Sequence, residues 1–192
     1  VTKLNYAGGD EDSWLLGQFP EDFHGYACEL GALDGVYISN TKLLEDRGWT
    51  CLCIEPNPRH QEALRKNRKL VLTCACDSQP SARRYMREHP KVFRDTWTSF
   101  EDSQDPDLFP TTVLTLDQCL EIVGFPRLDV LSLDVDGIER QIIEGFDIAR
   151  WNPKAVVIEK DTDGRLESFF KLGYRQVGSG SDDNRYLLRG DQ

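Results

Sequence analysis

The stretch ACELGALDG, residues 27–35, reads as a strand that ends in Glu29 and opens through Gly31, Ala32, Leu33, Asp34 and Gly35 into a turn ahead of a helix. Glycines in such a turn let backbone N–H groups approach a ligand closely, and they also serve the many α/β crossovers that simply need a positive φ. The spacing is not G-x-G-x-x-G, which counts against a dinucleotide site. Twenty residues beyond Gly35, Glu55 closes the next apolar run, with Pro56 and Pro58 behind it. An acid in that position commonly accepts both hydroxyls of an adenosine ribose, although by itself it reads equally as a solvated loop carboxylate. Together the two features put a ribose-type acid beside a glycine turn, at the edge where open α/β sheets bind ligands.

More carboxylates follow later strands. Asp77, after Cys76, can accept from an adenine amino group or only cap the following turn. In LSLDVDGIE, Asp134, Asp136 and Glu139 crowd the turn at Gly137. Carboxylates so close must raise one another's pKa or share a cation, so one of them can serve as a general base, or Asp136 and Glu139 can simply favour a helix N-terminus. Glu159, ending VVIEKD, faces the same crevice. If it converges with Asp134, the oxygens would suffice for a hard divalent ion, but no ligand spacing demands one, and no metal is expected.

These residues need a scaffold that brings strand ends together. Short apolar runs at Tyr26–Leu30, Thr50–Glu55, Leu70–Ala75, Leu128–Asp134 and Ala155–Glu159 predict parallel strands covered on both faces. Between them lie helices at Ser39–Arg47, Arg59–Arg68, Leu116–Val123 and Ile138–Ala149, and Thr115 with Gln118 has the spacing of a capping box. A helix around Leu166, Phe169, Phe170 and Leu172 then leads into an antiparallel hairpin, Tyr174–Val177 with Tyr186–Arg189. The expectation is one α/β domain over residues 1–192, a seven-stranded Rossmann-like sheet with helices on both faces and a C-terminal hairpin. Residues 1–25, with Trp14, Leu15, Leu16 and Phe19 behind the acidic run DEDS, predict a helical segment docked on the sheet. Residues 78–111 read as a variable substrate-side insertion, with a helix at Ala82–Glu88 and an acidic, aromatic loop from Phe93 to Phe109.

Composition narrows the partners. A net charge of −10 argues against a general nucleic-acid binder and a polybasic membrane-surface protein, and no apolar run reaches the length of a membrane span. Residues 59–94 nonetheless hold 10 Lys/Arg against 3 Asp/Glu, a basic stretch that can recognise a phosphate or sulfate or merely solubilise a helix face. The start of the chain lacks the apolar core of a signal peptide, so the expectation is a soluble, cytoplasmic protein. Five of the six cysteines fall in β-prone runs and are expected to be buried, reduced thiols.

ELGALDGVYISNT, then GWTCLCIEPNP, then LDVLSLDVDGIERQIIEGFD resemble the signature blocks of the FkbM-type methyltransferases, S-adenosylmethionine-dependent enzymes of the seven-stranded Rossmann-like class. The resemblance spans roughly residues 5 to 189. It implies that the turn from Glu29 through Gly31, Ala32, Leu33, Asp34 and Gly35 cradles the methionine part of the cofactor, with Asn40 nearby. It further implies that Glu55 and Pro56 hold the ribose, that the Cys76–Asp77 turn flanks adenine, and that Asp134 borders the cofactor. Family members commonly methylate hydroxyl oxygens of sugars or natural products, so the implied partner is a small-molecule or glycan acceptor. The implied general base is Asp134 or Asp136, with Glu159 as alternative. The chain departs from the family pattern at Asp136, where Glu is usual, and at Ala7 and Gly8, where Ser-Gln usually precedes the Glu11–Asp12 pair; both positions bear on acceptor contacts. Other classes compatible with the same sheet are a nicotinamide- or nucleotide-binding protein and a non-catalytic module.

Overall fold

The computed structural model describes residues 5–90, 96–101, 105–135, 137–159, 163–180 and 184–190. In chain order, α1 (Glu11–Gly17) precedes β1 (Tyr26–Leu30), α2 (Lys42–Asp46), β2 (Thr50–Ile54), α3 (Pro58–Asn67) and β3 (Leu70–Leu72). Four strands follow without an intervening helix: β4 (Ala75–Cys76), β5 (Ser81–Pro90), β6 (Thr96–Glu101) and β7 (Phe109–Leu114). The chain then alternates again through α4 (Leu116–Ile122), β8 (Val130–Leu133), α5 (Glu139–Glu144), α6 (Ile148–Trp151), β9 (Ala155–Glu159) and α7 (Glu167–Lys171). It closes with the hairpin β10 (Tyr174–Ser179) and β11 (Asn184–Arg189).

Seven strands form the main sheet in the order β10-β11-β9-β8-β1-β2-β3, with the four pairings from β9 to β3 all parallel and the hairpin joining antiparallel through β11 and β9. Side chains alternate across it with period two, as pleating requires. Cys28, Leu30, Leu52, Ile54, Leu131, Leu133, Val156 and Ile158 share one apolar cluster with residues of α4, α5, α6 and α7. Their neighbours Ala27, Cys51, Val130, Ala155 and Val157 face the other way, against Leu15 of α1 and Leu44 of α2, while Cys53 packs on Leu64 of α3. The sheet is thus covered on both faces, and the strand order and hairpin match the expected α/β class.

Several local features depart from the sequence reading. The run Leu70–Ala75 divides: β3 stays in the main sheet, and β4 enters a second, four-stranded sheet ordered β4-β7-β5-β6. The helix expected at Ala82–Glu88 is strand β5, whose backbone pairs with β6 and β7 and whose Met86 is buried with Ala75 and Val113. Ladder pairing on both sides outweighs the helical propensity of Ala, Arg and Met in that run. The expected helix Ile138–Ala149 breaks into α5 and α6 at Gly145, where a Cβ would lie 2.6 Å from the Ser78 Cα, and Asp147 caps the new start by accepting from the Arg150 N–H. The capping box of α4 forms as spaced, Thr115 Oγ1 accepting from Gln118 N and Gln118 Oε1 from Thr115 N.

The N-terminal helix has the acidic run at its start, with Glu11 and Asp12 in its first turn and buried. Asp12 accepts from the Tyr6 and Ser13 backbone N–H groups, Trp14 stacks on Tyr186 of β11 at 4.3 Å, and Ala7 bridges to Ile38. No helix among the described residues is long and apolar enough to cross a membrane.

Candidate active site at the strand ends

β1, β2, β8 and β9 run parallel, so their C-terminal ends share one edge, and the order β9-β8-β1-β2 lays Glu159, Asp134, Gly31 and Glu55 along it in that sequence. With strands about 4.8 Å apart, the row spans roughly 14 Å, enough for an elongated ligand. Chain direction reverses its spread at β1, the switch point where such sheets bind ligands.

Gly31 sits at φ 79°, and a Cβ there would drive into the backbone carbonyl of Asp134. Glycine is therefore required twice, by conformation and by the close approach of β1 to the end of β8. Its N–H and that of Ala32 donate to the Ile54 carbonyl at 3.1 and 3.3 Å, and Ala32 is buried against Cys53 and Leu64. Leu33 holds the left-handed conformation without being glycine, at φ 46°. Glu55 secures it: one carboxylate oxygen accepts from Leu33 N at 3.0 Å, the other from Asn57 N at 2.8 Å, where Asn57 caps α3. Glu55 thus ties the glycine turn to the start of α3, with Pro56 following it. Asp34 accepts from Val36 N and Tyr37 N, closing the turn, and a cleft of about 280 Å³ lies between Leu33, Asp34, Tyr37, Arg59 and His60.

Glu29, by contrast, points beneath the turn and is buried. Its oxygens accept from Ser39 Oγ (2.8 Å), Asn40 N (2.6 Å) and Thr41 Oγ1 (2.6 Å), and pair with Arg68 at 3.1 Å. It shapes the segment that carries Asn40, whose amide donates to Ser132 Oγ of β8 at 3.0 Å. The same segment keeps Ser39–Thr41 out of α2, which is why that helix starts later than its sequence predicts. Asp77, following Cys76, pairs with Arg84 of β5 at 2.7 Å while its other oxygen accepts from Ser78 N. Arg84 also lies over the Phe100 ring of β6 at 3.7 Å, within the second sheet.

Asp134, Glu139 and Glu159 do converge, with oxygens all within 4.8 Å of one another. Two of them share a cation: Arg165 bonds Glu139 and Asp163 and lies 3.9 Å from Glu159. Burial works against the Arg165 charge, and Asp163 and Glu139 more than offset it, so the guanidinium stays protonated. Glu139 is fully buried and its oxygens take the Val135 and Gly137 N–H groups, so it organises the loop after β8. Asp134 and Glu159 are only partly buried, unlike Glu139. Asp136 lies outside the described residues. The sequence reading passed over Arg68, Arg84 and Arg165. Each is an arginine in a charged run, and only long-range contacts distinguish it from a surface cation.

Gly31→Ala is expected to lower stability by roughly 2–4 kcal/mol, from the positive φ and the overpacking against β8, or about 4–16 °C in Tm for a chain of this size. Thermal unfolding of the variant checks it; an unchanged Tm would mean that β1 and β8 do not approach as described.

The family model for the methyltransferase FkbM domain matches residues 29–175. Among solved structures, a putative O-methyltransferase from Klebsiella pneumoniae is 13% identical, with 99% of this chain and 84% of that one covered at a TM-score of 0.47. An O-methyltransferase from Bacillus cereus in complex with SAH is 14% identical, covering 93% and 78%, at 0.48. A mutant of MtNAS is 15% identical at 0.46, covering 94% of this chain, which spans 58% of that one. A search of curated proteins finds no match.

Proposed function

Because this chain belongs to the FkbM methyltransferase domain family, we propose that it is an S-adenosylmethionine-dependent methyltransferase acting on a hydroxyl oxygen of a sugar or natural-product-like small molecule. The observation that carries the reading is the row of Gly31, Glu55 and Asp134 on adjacent strand ends, inside the segment the family model matches. The residues fit the cofactor in two respects. Gly31 leaves no side chain between the turn and β8, and Glu55 is an acceptor-only group placed against that turn.

Bound there, the cofactor would supply a sulfonium methyl that already carries the driving force. The turn from Gly31 to Gly35, with Asn40 beside it, would hold the methionine part, Glu55 and Pro56 the ribose, and the Cys76–Asp77 turn the adenine. What remains for the protein is to align the acceptor oxygen, exclude water and remove its proton. Asp134 is best placed for that last task. It adjoins the glycine turn, its backbone carbonyl lying where a Gly31 side chain would be, and Glu159 at the end of β9 is the alternative. The acceptor would enter beside Asp134 and Glu159, over the second sheet. Neither a nucleic acid nor a membrane surface suits the overall charge of −10.

Thermal unfolding with S-adenosylmethionine, S-adenosylhomocysteine and NAD in parallel tests the cofactor. At about 100 times its dissociation constant, a ligand adds roughly 2.7 kcal/mol, or about 5–11 °C. A shift with the two methionine-derived ligands alone is expected; a shift with NAD alone, or with none, would overturn the reading. Glu55→Ala should weaken that binding, and an unchanged dissociation constant would remove Glu55 from the ribose site. Transfer of a labelled methyl group to a panel of hydroxylated acceptors then tests the O-methylation.

A further inference from the structure

Three of the six cysteines meet on one face of the main sheet. Cys74 lies in the crossover between β3 and β4, Cys76 ends β4, and Cys119 stands in α4, set there by the Thr115–Gln118 capping box. The Cys119 Sγ is 3.8 Å from that of Cys74 and 3.7 Å from that of Cys76. All six thiols are free and buried. Cys51 and Cys53 project to the opposite face, where burial pushes them up, and burial likewise holds Cys28 well above the usual thiol range. Within the trio the order differs. Hydrogen bonding with Cys119 and Cys76 holds the Cys74 thiol below the usual thiol range, while Cys76 and Cys119 are raised. Cys74 is also the most accessible of the six, at 5% exposure, and sits outside any strand. The thiolate is the form that reacts with oxidants.

We infer that Cys74 and Cys119 form an oxidation site, in which a hydroperoxide converts Cys74 to a sulfenic acid and Cys119 resolves it to a disulfide. In the first step the Cys74 thiolate sulfur attacks the terminal oxygen of the hydroperoxide, the O–O bond breaks and the alkoxide leaves (hydroxide, where the oxidant is hydrogen peroxide), taking up a proton to become the alcohol or water. In the second the Cys119 sulfur displaces the sulfenic oxygen as water, carrying off the Cys119 proton. The two sulfurs together give up two electrons, which reduce the peroxide. The sulfur atoms must close from 3.8 Å to about 2.05 Å, a movement that side-chain rotation at Cys119 and the irregular backbone at Cys74 can supply. The bridge would pin the crossover between the two sheets to α4. This inference does not depend on the methyl-transfer reading.

The test treats the reduced chain with graded hydrogen peroxide, unfolds it in an alkylating agent and maps each cysteine by mass spectrometry. Cys74 and Cys119 are expected to escape alkylation together, to appear as one cross-linked peptide pair, and to recover on reduction with dithiothreitol, while Cys28, Cys51 and Cys53 stay alkylated. Cys76→Ala should retain the link, and Cys119→Ser should leave Cys74 as a sulfenic acid that dimedone traps. Cys74 and Cys119 remaining alkylated at peroxide levels that oxidise free glutathione would overturn the inference, as would loss of the cross-link in Cys76→Ala. The wild-type map and Cys76→Ala decide the matter even if Cys119→Ser does not fold.

Discussion

Asp134→Asn is expected to cut methyl transfer by about 10²- to 10⁴-fold, the range a positioned general base contributes, while leaving cofactor affinity near that of the unaltered chain. The substitution keeps the size and hydrogen-bonding outline of the side chain but removes its ability to take the acceptor proton. Asp134 follows β8 directly, its backbone carbonyl abuts Gly31, and its carboxylate belongs to a cluster whose one buried member, Glu139, is occupied by backbone N–H groups and Arg165. Glu159→Gln, at the end of β9, provides the comparison. If it lowers turnover more than Asp134→Asn does, the base lies on β9 instead. If both variants keep full turnover with a hydroxylated acceptor, neither carboxylate removes the proton. Measuring kcat and the cofactor dissociation constant for each variant separates proton transfer from loss of binding.

The part of this site that runs along consecutive strand ends could be read in the sequence because each member is a local event. An apolar run stops, and a Gly or an acid follows, as at Gly31, Glu55, Asp134 and Glu159. Sequence reasoning also placed the C-terminal hairpin, since its turn residues and its helix stop at Gly173 are local too. It failed where the outcome depends on partners far away in the chain. β5 carries helix-forming residues and becomes a strand because β6 and β7 pair with it on both sides. The crossover at Cys74 is invisible in an apolar run that reads as one strand, yet it starts a second sheet. The assignment of Glu29 to the cofactor shows the same limit. Its position in the motif is plain, but that Ser39, Asn40, Thr41 and Arg68 surround its carboxylate depends on residues up to 39 positions away.

Arg68 therefore gives the sharpest test of how the glycine turn is supported. Its side chain is fully buried and lies between Glu29, at 3.1 Å, and Glu45 of α2, at 3.2 Å. It also donates to the Gly35 carbonyl, Ser39 Oγ and Thr41 Oγ1. Burial opposes its charge, but the Glu29 and Glu45 carboxylates around it hold it protonated. Its aliphatic stem fills the space a Gly35 side chain would need, since a Cβ there would lie 2.5 Å from Arg68 Cγ. Arg68→Met keeps that stem and removes only the guanidinium, leaving buried Glu29 without a counter-charge and Glu45 with Lys42 alone, at 3.4 Å. The expected cost is about 3–5 kcal/mol, the range for breaking a buried ion pair on one side, or roughly 6–20 °C in Tm. Adding Glu29→Gln and Glu45→Gln to Arg68→Met should recover much of that loss, because the cost lies in the unpaired charges rather than in missing contact area. A triple variant no more stable than the single one would show that Arg68 acts through its hydrogen bonds to the turn, which would make the Gly35 carbonyl and Thr41 the groups that depend on it.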